Sequence, residues 1–303
     1  MRIIILAFGA TLVAMGSAAL AESARLTALF PAGNPQIAKF KTLGIDEFSG
    51  REGSKLALEL ERRLTKPFDG NAAYFILLAD GSAPDGVVRG NASSAVTEAP
   101  YERTDQVCVA KGPDGKCTAK APQVFNCIRR IVEFSGDISV VDNTSGQIIF
   151  SQQFPRREEV SWCGSQQAPT TISQVIQNFT VDVAKQFSKI ATPYVDDYTV
   201  RYMENIREMD APTKASFKTA IKLTEKDPMG ACRLFDTLGE ANPNNPSVVF
   251  NQGVCAEIQH DYLLAKIHYG KAAELSGNRG DAAKGLERVQ KMQSAKELAE
   301  KRG

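Results

Sequence analysis

The stretch PSVVFNQGVCAEIQHDYLLAKIHYGKAAELSG, residues 246–277, decides the fold of the C-terminal part of the chain. It predicts a helical hairpin, with helices over residues 247–259 and 261–275. Gly253 falls in the middle of the first helix, where the absence of a side chain lets two helices approach closely. The second helix follows Asp261, a residue type that caps helix N-termini, and repeats its small and aromatic residues at i, i+4 and i+7. These packing residues are Ala265, Tyr269 and Ala272.

The same pattern occurs about 34 residues earlier in the chain. The matching pairs are Ala231 and Ala265, Phe235 and Tyr269, Leu238 and Ala272, and Pro243 and Gly277. On these residues, segment 212–279 resembles two tetratricopeptide repeats, the first degenerate because Lys218 and Thr219 replace its usual Leu-Gly pair. The resemblance implies an all-α repeat domain over residues 212–303, which ends in a charged helix. An ordinary helical bundle is the alternative.

The N-terminus has the pattern of a secretory signal. Met1-Arg2 precedes an apolar run over residues 3–14, and Ala19-Leu20-Ala21 follows it. The run is short for a membrane span, and small residues occupy the positions that a signal peptidase requires. The sequence therefore predicts a signal peptide over residues 1–21 and a periplasmic or secreted mature chain without a membrane span. The alternative is an uncleaved signal that serves as an anchor.

Charge and cysteine content narrow the classes of function. The chain has 36 basic and 35 acidic residues, and loss of Arg2 with the signal would leave the two balanced. Binding to nucleic acid is therefore not expected. Six cysteines in an exported chain favour disulfides. No CxxC motif and only two histidines occur, so neither a metal site nor a cofactor is expected.

Spacing predicts how the cysteines pair. Cys108 and Cys117 flank a Gly-Pro-Asp-Gly turn, and Cys127 and Cys163 flank a longer hairpin centred on residues 143–146, where position 127 would lie opposite about 162. Cys232 and Cys255 remain, in helices that would be neighbours in the repeat array.

The part of the chain before the repeats alternates between helical and strand patterns. Leucines at every fourth position predict a helix over 54–66, and the apolar run 74–79 is typical of a strand buried on both faces. Alternating polar and apolar residues predict an antiparallel hairpin from strands 128–140 and 147–154, and apolar spacing predicts a helix over 172–190. The predicted fold class is α+β. An N-terminal α/β sandwich with a mixed, mostly antiparallel sheet would span 22–195, followed by a linker over 196–211.

Three short motifs in this domain resemble a known family. They are Leu43 to Gly50 before a helix, Gly86-Val87-Val88-Arg89-Gly90, and the hairpin from Ile138 to Ile149 with its Val-Val-Asp-Asn-Thr-Ser-Gly turn. Together they are similar to the periplasmic domain shared by curli-secretion-channel (CsgG-like) proteins and lipoprotein activators of cell-wall synthases. The resemblance covers about residues 38–192. It implies a protein of the bacterial envelope and allows a homo-oligomer.

Two features of the repeat domain are candidates for partner binding. Lys214, Lys218 and Lys222 form a basic stripe on one helix, which is either a solvated face or a site for an anionic partner. Asn251, Gln252 and Gln259 are the polar residues expected nearest the groove of the repeats. No motif of a hydrolase, zinc peptidase or dinucleotide enzyme occurs.

These features predict a non-enzymatic adaptor or scaffold that binds a protein partner in the envelope. The alternatives are an oligomeric component of an envelope secretion or assembly system, and a hydrolase without a recognisable motif.

Overall fold

The computed structural model describes residues 22–66, 73–78, 83–164, 166–277 and 280–300. The fold is α+β, as the sequence predicts, with a mixed sheet followed by an all-helical region. The chain divides into two compact units. The sheet unit is Leu29–Val195, and the helical unit combines the chain up to Ala28 with Asp196–Gly303.

The chain passes between the two units within two paired strands. These are β1 (Ser23–Phe30) and β7 (Tyr194–Arg201), which form a two-stranded sheet. Residues 196–201, expected to begin a linker, therefore continue a strand. The segment before Leu29, expected to belong to the sheet domain, is grouped with the helices.

The sheet unit contains a five-stranded sheet in the order β3-β2-β4-β5-β6. Strand β2 runs parallel to both of its neighbours, β3 and β4, and β5 runs antiparallel to both of its neighbours, β4 and β6. The strand bounds are β2 Thr42–Ile45, β3 Ile76–Leu78, β4 Gly86–Lys111, β5 Cys117–Asp142 and β6 Ile148–Cys163. Ile76 of the edge strand β3 is exposed, so the expectation that this run is buried on both faces was wrong.

Two helices contribute to the core of the sheet unit. Helix α1 (Gly53–Leu64) buries the leucines of its four-residue repeat, and α2 (Ile172–Ala191) buries Val175, Val183 and Phe187. The apolar positions of β5 face the same core, since Val132, Phe134, Ile138 and Val140 are all buried. Both helices and the alternating strand thus follow the patterns in the sequence.

Strands β4 and β5 extend well beyond the rest of the sheet. Pairing of β6 ends at Cys127 opposite Cys163, and pairing of β2 ends at Val88. Among the described residues, 101–126 therefore form a two-stranded ribbon, here called the β-arm. At about 3.3 Å per residue it is roughly 35 Å long.

Prolines lie on the open edges of this sheet. Pro100 and Gln106 oppose Ile128 and Pro122 respectively. Gly90 and Ala92 direct backbone groups away from β5 and towards Ser49, and Pro100 and Gln106 lie an even number of residues further along β4. Both pairs therefore belong to the class whose backbone groups point away from the partner strand. Pro100 and Pro122 therefore remove N–H donors from the outer edges rather than from the ladder. Prolines in such places hinder pairing with another chain.

The three disulfides predicted from the sequence are those of the structure. Cys108–Cys117 lies near the end of the β-arm and Cys127–Cys163 at its base, while Cys232–Cys255 joins two helices. Cys127 lies opposite residue 163 rather than 162. The reason is a β-bulge between Val140 and Val141, which shifts the register by one residue.

The helical unit contains five helices in its described part. They are α3 Ala211–Leu223, α4 Pro228–Ala241, α5 Pro246–Ile258, α6 Tyr262–Leu275 and α7 Asp281–Glu300. Asp210, Asp227, Asn245 and Asp261 cap the first four, each with its side chain accepting a backbone N–H of the first turn. Among the described residues, no helix is both apolar enough and long enough to cross a membrane.

Removal of the Cys232–Cys255 disulfide should destabilise the helical unit. The bond joins α4 to α5 across 23 residues, and a loop of that size predicts a loss of about 3 kcal/mol in the free energy of unfolding. Urea unfolding of the double alanine variant measures the loss. The matched control replaces Cys108 and Cys117, whose loop lies in the β-arm; an equal loss in the helical unit of that variant would contradict the expectation.

Candidate interaction surfaces of the helical unit

The groove expected on α5 is occupied by the chain itself. Asn251 is fully buried, and its side chain accepts the Met203 N–H at 2.8 Å and donates to the Met203 carbonyl at 3.0 Å. The segment that follows β7 therefore covers this part of α5. Both ends of the Asn251 amide are thus used within the chain.

The other two groove candidates do not join Asn251. Gln252 is half-buried, and its side chain lies against Gly239 of α4. Gln259 is exposed just after α5, where it borders a depression of about 440 Å³ together with His260 and Lys296. The three residues thus face three different environments and form no common surface.

A buried polar network connects three helices and β7. Glu257 of α5 is fully buried and pairs with Arg288 of α7, with N–O distances of 2.7 and 2.8 Å. The hydroxyls of Tyr198 and Tyr269 donate to the same carboxylate at 2.8 and 2.5 Å. All four donors converge on one carboxylate, so its charge is well compensated.

The environment of the network shifts the pKa of its two tyrosines and of its arginine. Burial, and then the Glu257 carboxylate, raise the pKa of Tyr198 and Tyr269 well above the usual range. Burial opposes the charge of Arg288, but hydrogen bonds and attraction to Glu257 raise its pKa overall. The tyrosines thus remain neutral donors and the arginine remains a cation near pH 7, which fits a structural network.

Tyr269 is the central packing residue of the unit. A Cβ atom at Gly253 of α5 would come within 2.7 Å of its ring, and one at Gly285 of α7 within 2.9 Å. Only glycine allows this approach from both sides. Ala265 and Ala272 on the same helix are also fully buried. Ala231 and Phe235, which lie about 34 residues before Ala265 and Tyr269, are fully buried as well. The packing residues singled out in the sequence therefore all lie in the interior.

The basic stripe lies on the surface of α3. Lys218 and Lys222 are exposed and Lys214 is half-buried, while Phe217 and Ala220 are buried. The four-residue spacing thus separates a basic surface from an apolar interior.

A second exposed surface was not singled out in the sequence. On α6, Leu263, Leu264 and Ile267 are 60%, 42% and 58% exposed. Leu263 and Ile267 are one turn apart and lie on the same side of the helix. These three residues are called the apolar row. The sequence does contain a signal for their exposure. Once Ala265 and Tyr269 are placed on the inner face of α6, helical spacing puts Leu263 and Ile267 on the outer face.

A depression of about 540 Å³ lies beside the start of β1. It is bordered by residues 22–25, by Tyr202 and by the turn between α3 and α4. The Tyr202 hydroxyl is buried and has no hydrogen-bond partner in the described part of the chain. Burial, and then the nearby Glu22 carboxylate, raise the pKa of Tyr202 to about 12.

Comparisons with known proteins place few limits on function. No family model and no curated protein sequence matches the chain. Among solved structures it is similar to a neuraminyllactose-binding hemagglutinin homolog from Helicobacter pylori, at 10% identity over 49% of this chain and 83% of that one, with a TM-score of 0.31. It is also similar to the PelC dodecamer from Paraburkholderia phytofirmans, at 11% identity over 56% and 99%, with a TM-score of 0.25. Rare lipoprotein B from Shewanella oneidensis is 14% identical over 48% and 89%, with a TM-score of 0.23. Similarity of this degree assigns no family to the chain.

Proposed function

We propose that this protein is an exported, non-enzymatic adaptor of the bacterial envelope that binds a protein partner through its helical unit. In this proposal α3–α4 and α5–α6 are two tetratricopeptide-type hairpins, and α7 packs on the second. The three disulfides support export, because such bonds form and persist in oxidising compartments.

The apolar row on α6 is the observation that carries the proposal. Single exposed leucines are common on protein surfaces, but three large apolar side chains within two turns of one helix form a patch. Ala265 and Tyr269, on the opposite face of α6, are packed in the interior, so the apolar row lies on a rigid support. A rigid support of this kind lowers the entropy that is lost when a partner binds.

The interior polar groups support a scaffold rather than a reactive centre. Asn251 and Glu257 are buried, and their hydrogen bonds are satisfied by Met203 and by the Glu257 network. A partner would therefore bind on the outer face of α6 and not in the groove of α5. We assign the lysines of α3 the role of attracting acidic groups of the same partner, an effect that salt would weaken.

Crosslinking pulldown from the native envelope tests this function. We expect the wild-type protein to retain one partner and Ile267→Asp to retain at least tenfold less, because the substitution places a charge within the apolar contact. The matched control is Leu58→Asp on α1, since Leu58 is 66% exposed and lies in the sheet unit. This control should retain the partner fully.

Lys218→Glu tests the second part of the proposal. It should leave the melting temperature unchanged and weaken partner capture most strongly at low salt. Equal capture by Ile267→Asp and wild type would refute the adaptor surface. Equal losses with Ile267→Asp and Leu58→Asp would refute its location on α6.

A further inference from the structure

The backbone of Glu22 makes two specific contacts in the helical unit. Its N–H donates to Glu204 Oε1 at 3.0 Å, and its carbonyl accepts the Tyr202 N–H at 2.9 Å. Glu22 immediately precedes β1, while Tyr202 and Glu204 directly follow β7. These contacts therefore fix the first residue of the β1 segment to the segment that leaves β7.

The same nitrogen belongs to the peptide bond that a signal peptidase is expected to cleave. Ala19-Leu20-Ala21 places small residues at the positions such an enzyme recognises. Hydrolysis adds the hydroxyl of water to the Ala21 carbonyl carbon and a proton to the Glu22 nitrogen. The released α-amine has an ordinary pKa of about 8, so it takes up a further proton from solvent at pH 7.

We propose that cleavage after Ala21 converts a neutral hydrogen bond into an ion pair between the Glu22 α-ammonium and the Glu204 carboxylate. The distance of 3.0 Å is already that of an ion pair, so no rearrangement is needed. A charge-assisted hydrogen bond is stronger than a neutral one, and β1 is thus held more firmly in the mature chain than in its precursor. Glu204 is exposed, which keeps the effect moderate. This inference does not depend on the proposed adaptor function.

The first measurement is the mass of the protein purified after export. The mature chain should begin at Glu22. A mature chain that begins at any other residue would overturn the proposal, because the ammonium would then lie away from Glu204.

The second measurement compares a chain that begins at Glu22 with one that begins at Leu20, each released from a cleavable fusion without extra residues. In the longer chain the ammonium is about 7 Å further along the backbone, and Glu22 again has a neutral amide. We expect Glu204→Gln to reduce the hydrogen-exchange protection of the Tyr202 amide about fivefold in the Glu22 chain and at most twofold in the Leu20 chain.

Glu225→Gln is the matched control, since Glu225 borders the same depression as Glu22. It should leave the protection of Tyr202 unchanged in both chains. Equal losses from Glu204→Gln in the two chains would show that the ammonium contributes nothing, and would overturn the proposal even if the mature chain begins at Glu22.

Discussion

Arg288→Met is expected to lower the free energy of unfolding of the helical unit by about 3–5 kcal/mol. The substitution keeps much of the side-chain volume but removes the cation that pairs with Glu257. That carboxylate is fully buried and, within the described part of the chain, would keep only the two tyrosine hydroxyls as donors. An uncompensated charge in the interior is costly because the surrounding medium screens it poorly. Urea unfolding at pH 7, followed by far-UV circular dichroism, measures the loss.

Lys291→Met provides the control on the same helix. Lys291 pairs with Glu287 at 2.6 Å, almost the same distance as the 2.7 Å between Arg288 and Glu257. Both partners of the Lys291 pair are exposed, so its loss should cost less than about 1 kcal/mol. Similar losses in the two variants would mean that burial of Glu257 does not determine the energy of the network.

Ala265→Glu is expected to cost the helical unit several kcal/mol, about as much as Arg288→Met. Ala265 is fully buried on α6, which packs against both α5 and α7. A glutamate there must either bury a carboxylate without a cation or push the helices apart. The thermal melt of the variant should show the helical unit unfolding at a much lower temperature than in the wild type.

The neighbouring substitution Lys266→Glu introduces the same side chain at an exposed position. It should change the free energy of unfolding by no more than about 0.5 kcal/mol. If Ala265→Glu melts like Lys266→Glu, then Ala265 does not lie at a close helix contact, and the repeat-type packing of α5 and α6 is wrong.

Local patterns in the sequence were sufficient to predict much of the fold. The start of α6 follows from Asp261 as its cap, and the interior of α6 follows from its small and aromatic residues. The pairing of Cys127 with Cys163 follows from counting outward from one turn, with an error of one residue caused by the bulge at Val140. These features depend on residues close in sequence, where spacing determines geometry.

Features that depend on distant segments were not predictable in this way. Residues 196–211 were predicted to be a linker, whereas residues 196–201 continue β7, whose partner β1 lies near the start of the chain. Asn251 and Glu257 have the polarity of surface residues, and only the position of Met203, Tyr198 and Arg288 shows that both are buried. Their partners come from elements whose packing the sequence pattern does not fix.

The pairing of β1 with β7 limits the order in which the strands can pair during folding. The contact between Thr27 and Asp197 joins residues 170 positions apart. At about 5–20 residues per second, a ribosome needs roughly 10–30 s to reach β7 after it has made β1. During that time β1 remains unpaired on both edges. Strands β4 and β5, in contrast, can pair with each other from their turn as soon as both have been synthesised. The first strand of the chain is thus among the last to acquire its partner strand.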